Sequence, residues 1–158
     1  ILSTFSVLLA QDNGFAISSG YTIDFSNSKS LGSEAYEKNL DLDDASTTER
    51  LAEETNLFAC SFTDGLFIHT VNRNDDNGTT VQIYKIVQKT ITYEKEYKMI
   101  IVSVESGLSG SIYSYMYLKN METGVINFLN YSRNDDESIS GTSYLTVAKI
   151  NLNTYKQE

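Results

Sequence analysis

A phrase of alternating apolar and polar residues, broken by a glycine turn, recurs along this chain and restricts its fold more than any other feature. The clearest copy covers residues 56–86. A run from 56 to 62 leads into Thr63-Asp64-Gly65, a second run from 66 to 73, a polar stretch from 74 to 79, and a third run to Ile86. Side chains of a strand alternate between two faces, and Asp-Gly supplies the positive φ of a hairpin turn. The phrase therefore predicts strand, tight turn, strand, polar loop, strand.

A second copy occupies residues 111–150, and a worn third opens the chain. The turn glycines of the three are Gly14, Gly65 and Gly124, so the spacing is uneven. Arg73-Asn74-Asp75-Asp76 returns unchanged as Arg133-Asn134-Asp135-Asp136. Each is followed by Gly-Thr (Gly78-Thr79, Gly141-Thr142) and a run ending in Lys-Ile (Lys85-Ile86, Lys149-Ile150). The same landmarks in the same order mark an internal repeat. The expected organisation is one all-β domain over 1–158, with three imperfect antiparallel repeats at about 5–26, 56–104 and 111–155. An acidic insertion at 27–55 interrupts them. Within it, Ser46 and Glu49 have the spacing of a capping box, which predicts one or two helical turns over residues 49–54. Residues 89–104 read as one long half-exposed strand, with Ile91, Tyr93, Tyr97, Met99 and Ile101 sharing a face.

Composition narrows the partners. At 158 residues and 41% hydrophobic content, the chain can bury a sizeable core. Its 21 acids against 12 Lys and Arg give a net charge of −9, which repels nucleic acid and favours a cationic partner. A single cysteine, Cys60, excludes an internal disulfide and a Cys-based zinc cluster, and its apolar run makes it a small core residue. No stretch has the ~20 apolar residues of a membrane-spanning helix. Residues 1–10 fit either the remnant of an export signal or a first strand, and the repeat register favours the strand.

Two runs are apolar on both faces. Tyr113, Tyr115 and Tyr117 oppose Ile112, Met116 and Leu118, while Leu57 and Ala59 oppose Phe58, Cys60 and Phe62. Such strands need cover on both sides, which a two-sheet sandwich does not give. With the Asp-Gly turn and the run 81–86, this pattern resembles the blades of bacterial β-propeller repeat proteins, and the tail 147–155 is similar to a blade's outer strand and exit turn. The resemblance implies a partial propeller, completed by a longer chain or by several chains, because a closed propeller has at least about four blades. A β-trefoil, with three repeats in a similar length, and a β-sandwich are the alternatives.

Candidate chemistry is sparse. The only histidine, His69, lies mid-strand with no nucleophile motif beside it, so a catalytic triad has no support. The two Arg-Asn-Asp-Asp loops are the candidate ligand-binding residues: Arg73, Asn74, Asp75, Asp76, Arg133, Asn134, Asp135 and Asp136. Their arginines can fork onto a carboxylate or phosphate, and their aspartates can hold sugar hydroxyls; the plainer expectation is that Asn and Asp cap their own turns. The tyrosine row is expected in the core, with a stacking platform for sugars as the alternative. No cofactor or metal is implied. The function expected is a non-enzymatic binding or scaffold module of an exported bacterial protein (periplasmic, cell-surface or secreted), holding a protein or carbohydrate partner through polar loops. The alternatives are a propeller-type glycan hydrolase or lyase, and a structural subunit of a larger assembly.

Overall fold

Runs of β-branched and aromatic residues bounded by glycine turns become strands throughout. The computed structural model describes residues 12–28, 46–48, 54–73 and 78–146, and among these there is no helix. Nine strands follow one another: β1 (Gly14–Ser28), β2 (Ser46–Thr48), β3 (Glu54–Ser61), β4 (Leu66–Arg73), β5 (Thr79–Glu94), β6 (Tyr97–Ser106), β7 (Ile112–Asn120), β8 (Ile126–Arg133) and β9 (Ile139–Thr146). The all-β expectation holds. The clear repeat copies map onto β3–β5 and β7–β9, and their turn glycines Gly65 and Gly124 take φ of 67° and 69°.

All nine strands join one antiparallel sheet, in which β3 to β9 pair as a continuous meander. Propeller blades would be separate small sheets, and a sandwich would have two. Here β1 draws the ends together. Its first half pairs with β3, from Gly14 opposite Ser61 to Ser19 opposite Asn56. Its second half pairs with β9, from Ser19 opposite Thr146 to Ser28 opposite Ile139. The register slips at Gly20, where a bulge bends the strand from one partner to the other. The curled sheet thus meets itself as a barrel-like ring of eight strands, and β2 lies on the free edge of β1.

Eight strands enclose just enough room for side chains to fill. The filling here is aromatic. Phe58 is 2% exposed and packs against Phe128 and Tyr144, each with ring centroids 4.7 Å away, and against Phe67 and Tyr115 at 5.9 Å. Ile100, Val102 and Val104 complete this core from β6. A second cluster, Met116, Leu118, Leu129, Ile139, Phe25 and Tyr97, lies mainly on the opposite face of β6 to β9. Tyr115, Met116, Tyr117 and Leu118 are consecutive and all buried, so β7 is covered on both faces as its sequence requires.

Expectations for residues 89–104 and for Gly14 are corrected. Residues 89–104 are not one strand: Lys95 takes φ 51°, and Lys95-Glu96 forms the turn between β5 and β6. A register shift between Ile86 and Gln88 changes which residues face inward, so Ile86 meets Val104 whereas Ile91 meets Ile100. Tyr93 is exposed and shares no face with Tyr97 or Met99. Residues 21–25 belong to the second half of β1. Ser46–Thr48 extend the sheet through Asp24, Phe25 and Ser26; the helical turns expected over residues 49–54 fall almost wholly on residues 49–53, outside the described residues. Gly14 starts a strand at φ 140°, packed so closely that a Cβ would lie 1.8 Å from the Cys60 carbonyl oxygen. The run 1–11, the insertion 29–45 and the tail 147–158 also lie outside the described residues.

Candidate functional site

β4 and β8 run in the same direction and are four strands apart in a ring of eight, so their last residues, Arg73 and Arg133, which open the two Arg-Asn-Asp-Asp loops, lie on opposite sides of the same end of the barrel. Arg73 closes β4, and Asn74, Asp75 and Asp76 lie outside the described residues. In the second loop the side chains serve the turn. Asn134 Nδ2 donates to Ser138 Oγ and Ser140 Oγ, both at 2.9 Å, and Asp136 Oδ1 accepts from the Ser138 amide at 3.0 Å. The Ser138 hydroxyl and amide hold the Asp136 carboxyl below its ordinary pKa. Arg133, Asp135 and Asp136 are exposed.

The interior nearest that end carries the polar residues. His69 is buried beneath it, its ring stacked on Phe58 with centroids 4.1 Å apart. Its Nε2 lies 2.8 Å from Asn56 Oδ1, and an amide oxygen only accepts, which assigns the ring proton to Nε2. Burial pushes the imidazole pKa down to about 4, so the ring is neutral at pH 7. Asn56 is 1% exposed, and its Nδ2 finds no partner among the described residues. The sequence places His69 in a strand without a nucleophile, and the structure shows it packed in the core. Tyr115 and Tyr117 are core residues as well, whereas Tyr113 reaches the rim, 39% exposed and edge-on to Tyr84.

Charged groups close the opposite end. Lys98 Nζ and Tyr93 Oη both donate to the Asp12 carboxylate, the latter at 2.7 Å. Burial raises the Asp12 pKa, but these bonds and the charges of Lys98 and Lys89 outweigh it, and the net shift is downward. Lys89 lies over the Phe62 ring at 4.4 Å. Cys60 is a buried free thiol, and burial pushes its pKa up to about 12. Among the described residues no three His, Cys, Asp or Glu side chains gather to hold a metal ion, and no helix is long and apolar enough to cross a membrane.

A pronounced concavity on the described surface lies outside the ring. A groove of about 490 Å3 runs over the outer face of β1, β3 and β4. Register aligns its walls into two cross-strand rows. Ala16, Ala59 and Ile68 form one, continued on β5 by Ile83; Ser18, Leu57 and Thr70 form the other, continued by Val81. Ala16, Ser18 and Ala59 are small and make the floor, while Leu57 and Ile68 stand beside it. Neither row contains a charged residue. Leu57, Val81 and Ile83 are 48%, 58% and 60% exposed. Charge begins one row further on, where Leu66 is followed by Lys85 and then Glu105. The rows were half-visible in the sequence: Leu57 and Ala59 are the second apolar face of a two-faced strand, and this strand, unlike β7, leaves that face open. No family model, curated protein or solved structure matches the chain.

Proposed function

We propose that this chain is a non-enzymatic binding module that holds a partner protein on the outer face of β1, β3, β4 and β5. The observation that carries the reading is the uncharged double row over the groove, in a chain with 21 acids and 12 Lys and Arg. Contiguous exposed apolar surface rimmed by polar residues is characteristic of interaction sites. Two further features support it. The single imidazole is neutral and packed into the core, and the single thiol is buried with a raised pKa, so neither is poised for chemistry. The groove also lies on the open face of a sheet. Sites for small molecules enclose most of the ligand; a groove open along its length suits side chains presented by another polypeptide.

Nile red, a neutral dye that brightens on apolar surface, tests the groove directly. Ala59 is exposed on the floor, so Ala59→Arg blocks the groove without entering the core. Dye binding is expected to fall at least about fivefold, with circular dichroism unchanged. Ile83→Lys is expected to weaken it less. Unaltered dye binding in both variants would refute the reading.

A further inference from the structure

Resting on that reading, we infer that the partner presents an apolar segment flanked by basic residues. The small floor residues Ala16, Ser18 and Ala59, set between Leu57 and Ile68, leave space for large apolar side chains. The two rows supply no charge of their own, so the electrostatic contribution must act at the rim and at longer range. At the rim, among the described residues, Lys85 sits opposite Glu105 and the two charges balance, so the long-range field is set by the chain as a whole, which carries −9. A field of this sign speeds the approach of a cationic partner and opposes an anionic one, and salt screens it.

Competing occupants fit less well. A second copy would bring −9 against −9. The eight side chains of the two rows also fall short of the roughly 20–30 residues a side of a standard interface. An anionic lipid surface carries the same sign as the chain and is repelled. A single segment of polypeptide matches both the length of the rows and the charge.

The test uses two fluorescein-labelled peptides with the same alternating Leu-Ala centre, one flanked by lysines and the other by glutamates. Anisotropy is read against the full chain at low and at physiological ionic strength. The lysine peptide is expected to bind about tenfold or more tightly than the glutamate peptide at low salt. The ratio should shrink as salt rises, and Ala59→Arg should lose most of the binding. Equal, salt-independent affinities that Ala59→Arg abolishes would overturn the charge inference and leave the groove reading standing. Absence of peptide binding, with dye binding still sensitive to Ala59→Arg, would overturn the inference in the same way. Ala59→Arg binding the lysine peptide as tightly as the wild type would overturn the groove reading itself. Reversible self-association by sedimentation that Ala59→Arg abolishes would replace the basic segment with a second copy.

Discussion

Acid should destabilise this fold through one side chain. His69 is 8% exposed, its ring stacked on Phe58 and edge-on to Tyr144, with Nε2 bonded to Asn56. Burial lowers its pKa from 6.5 to about 4. The unfolded chain therefore takes up a proton first as pH falls. Stability is intact above about 6.5, is lost progressively between 6.5 and 4, and loses nothing more from this group below 4. A gap of this size is worth about 3 kcal/mol, a large share of the ~5–15 kcal/mol that holds an ordinary domain together. The carboxylates titrate over part of the same range, so the measurement has to be differential. His69→Gln keeps a donor within reach of Asn56 and does not titrate. Urea denaturation of both proteins at intervals from pH 7.5 to 3.5 gives two stability curves. Their difference should be flat above pH 6.5 and change by about 3 kcal/mol by pH 4. Parallel curves would mean that the imidazole charges in the folded state without penalty, and the buried placement of His69 would be wrong.

Three further outcomes follow from the core and the barrel ends. Cys60, with its pKa pushed up to about 12, should resist a thiol-specific disulfide reagent at pH 8 and react only as the chain unfolds; labelling within the mixing time would contradict its burial. Gly14→Ala places a Cβ against the Cys60 carbonyl at a φ of 140°, and Gly141→Ala places one 2.0 Å from the Asn130 carbonyl oxygen. Each should destabilise the fold by about 1–3 kcal/mol or more in the same denaturation assay, and unchanged midpoints would refute the close approach of these strands. Asp12→Asn should cost less than about 1 kcal/mol while lowering the Tyr93 phenol pKa, which the Asp12 hydrogen bond raises; an ultraviolet titration of Tyr93 that does not move would remove the contact.

The fold was legible in the sequence wherever a local rule decided it. Asp-Gly at 64–65 and Thr-Gly at 123–124 marked the turns before β4 and β8, because a positive φ is a property of the residue that adopts it. Closure was not legible, because it is made by partners far apart in the chain. Ser19 pairs with Asn56 on one side and with Thr146 on the other, and no periodicity in residues 14–28 announces either. The long run from 89 to 104 was misread for a related reason. Lys95 adopts positive φ without being glycine, so the β5–β6 turn carried no compositional mark. The two-residue turn pairs Glu94 with Tyr97 and Tyr93 with Lys98, which puts Tyr93 on the other face from Tyr97 and Met99 and so breaks the alternation counted across it.

The candidate site turned on a comparison between two strands that look alike in sequence. β3 and β7 each carry apolar residues on both faces, and each asks for cover on both sides. In β7 the request is met: Met116 and Leu118 are 1% and 3% exposed, opposite Tyr115 and Tyr117. In β3 the apolar side chains of one face, Phe58 and Cys60, are buried; Leu57 remains 48% exposed and Ala59 forms the floor of the open groove beside it. Two apolar faces in a sequence therefore state a demand for cover without naming what supplies it. The polar repeat Arg-Asn-Asp-Asp drew attention because it recurs, but recurrence also follows when a turn needs Asn and Asp to cap itself, as Asn134 and Asp136 do. The apolar face of β3 has no such internal use. Leaving it in water forgoes roughly 25 cal/mol for every Å2 of apolar area that a partner would cover, and that unmet demand locates the proposed binding surface on β3 and its neighbours.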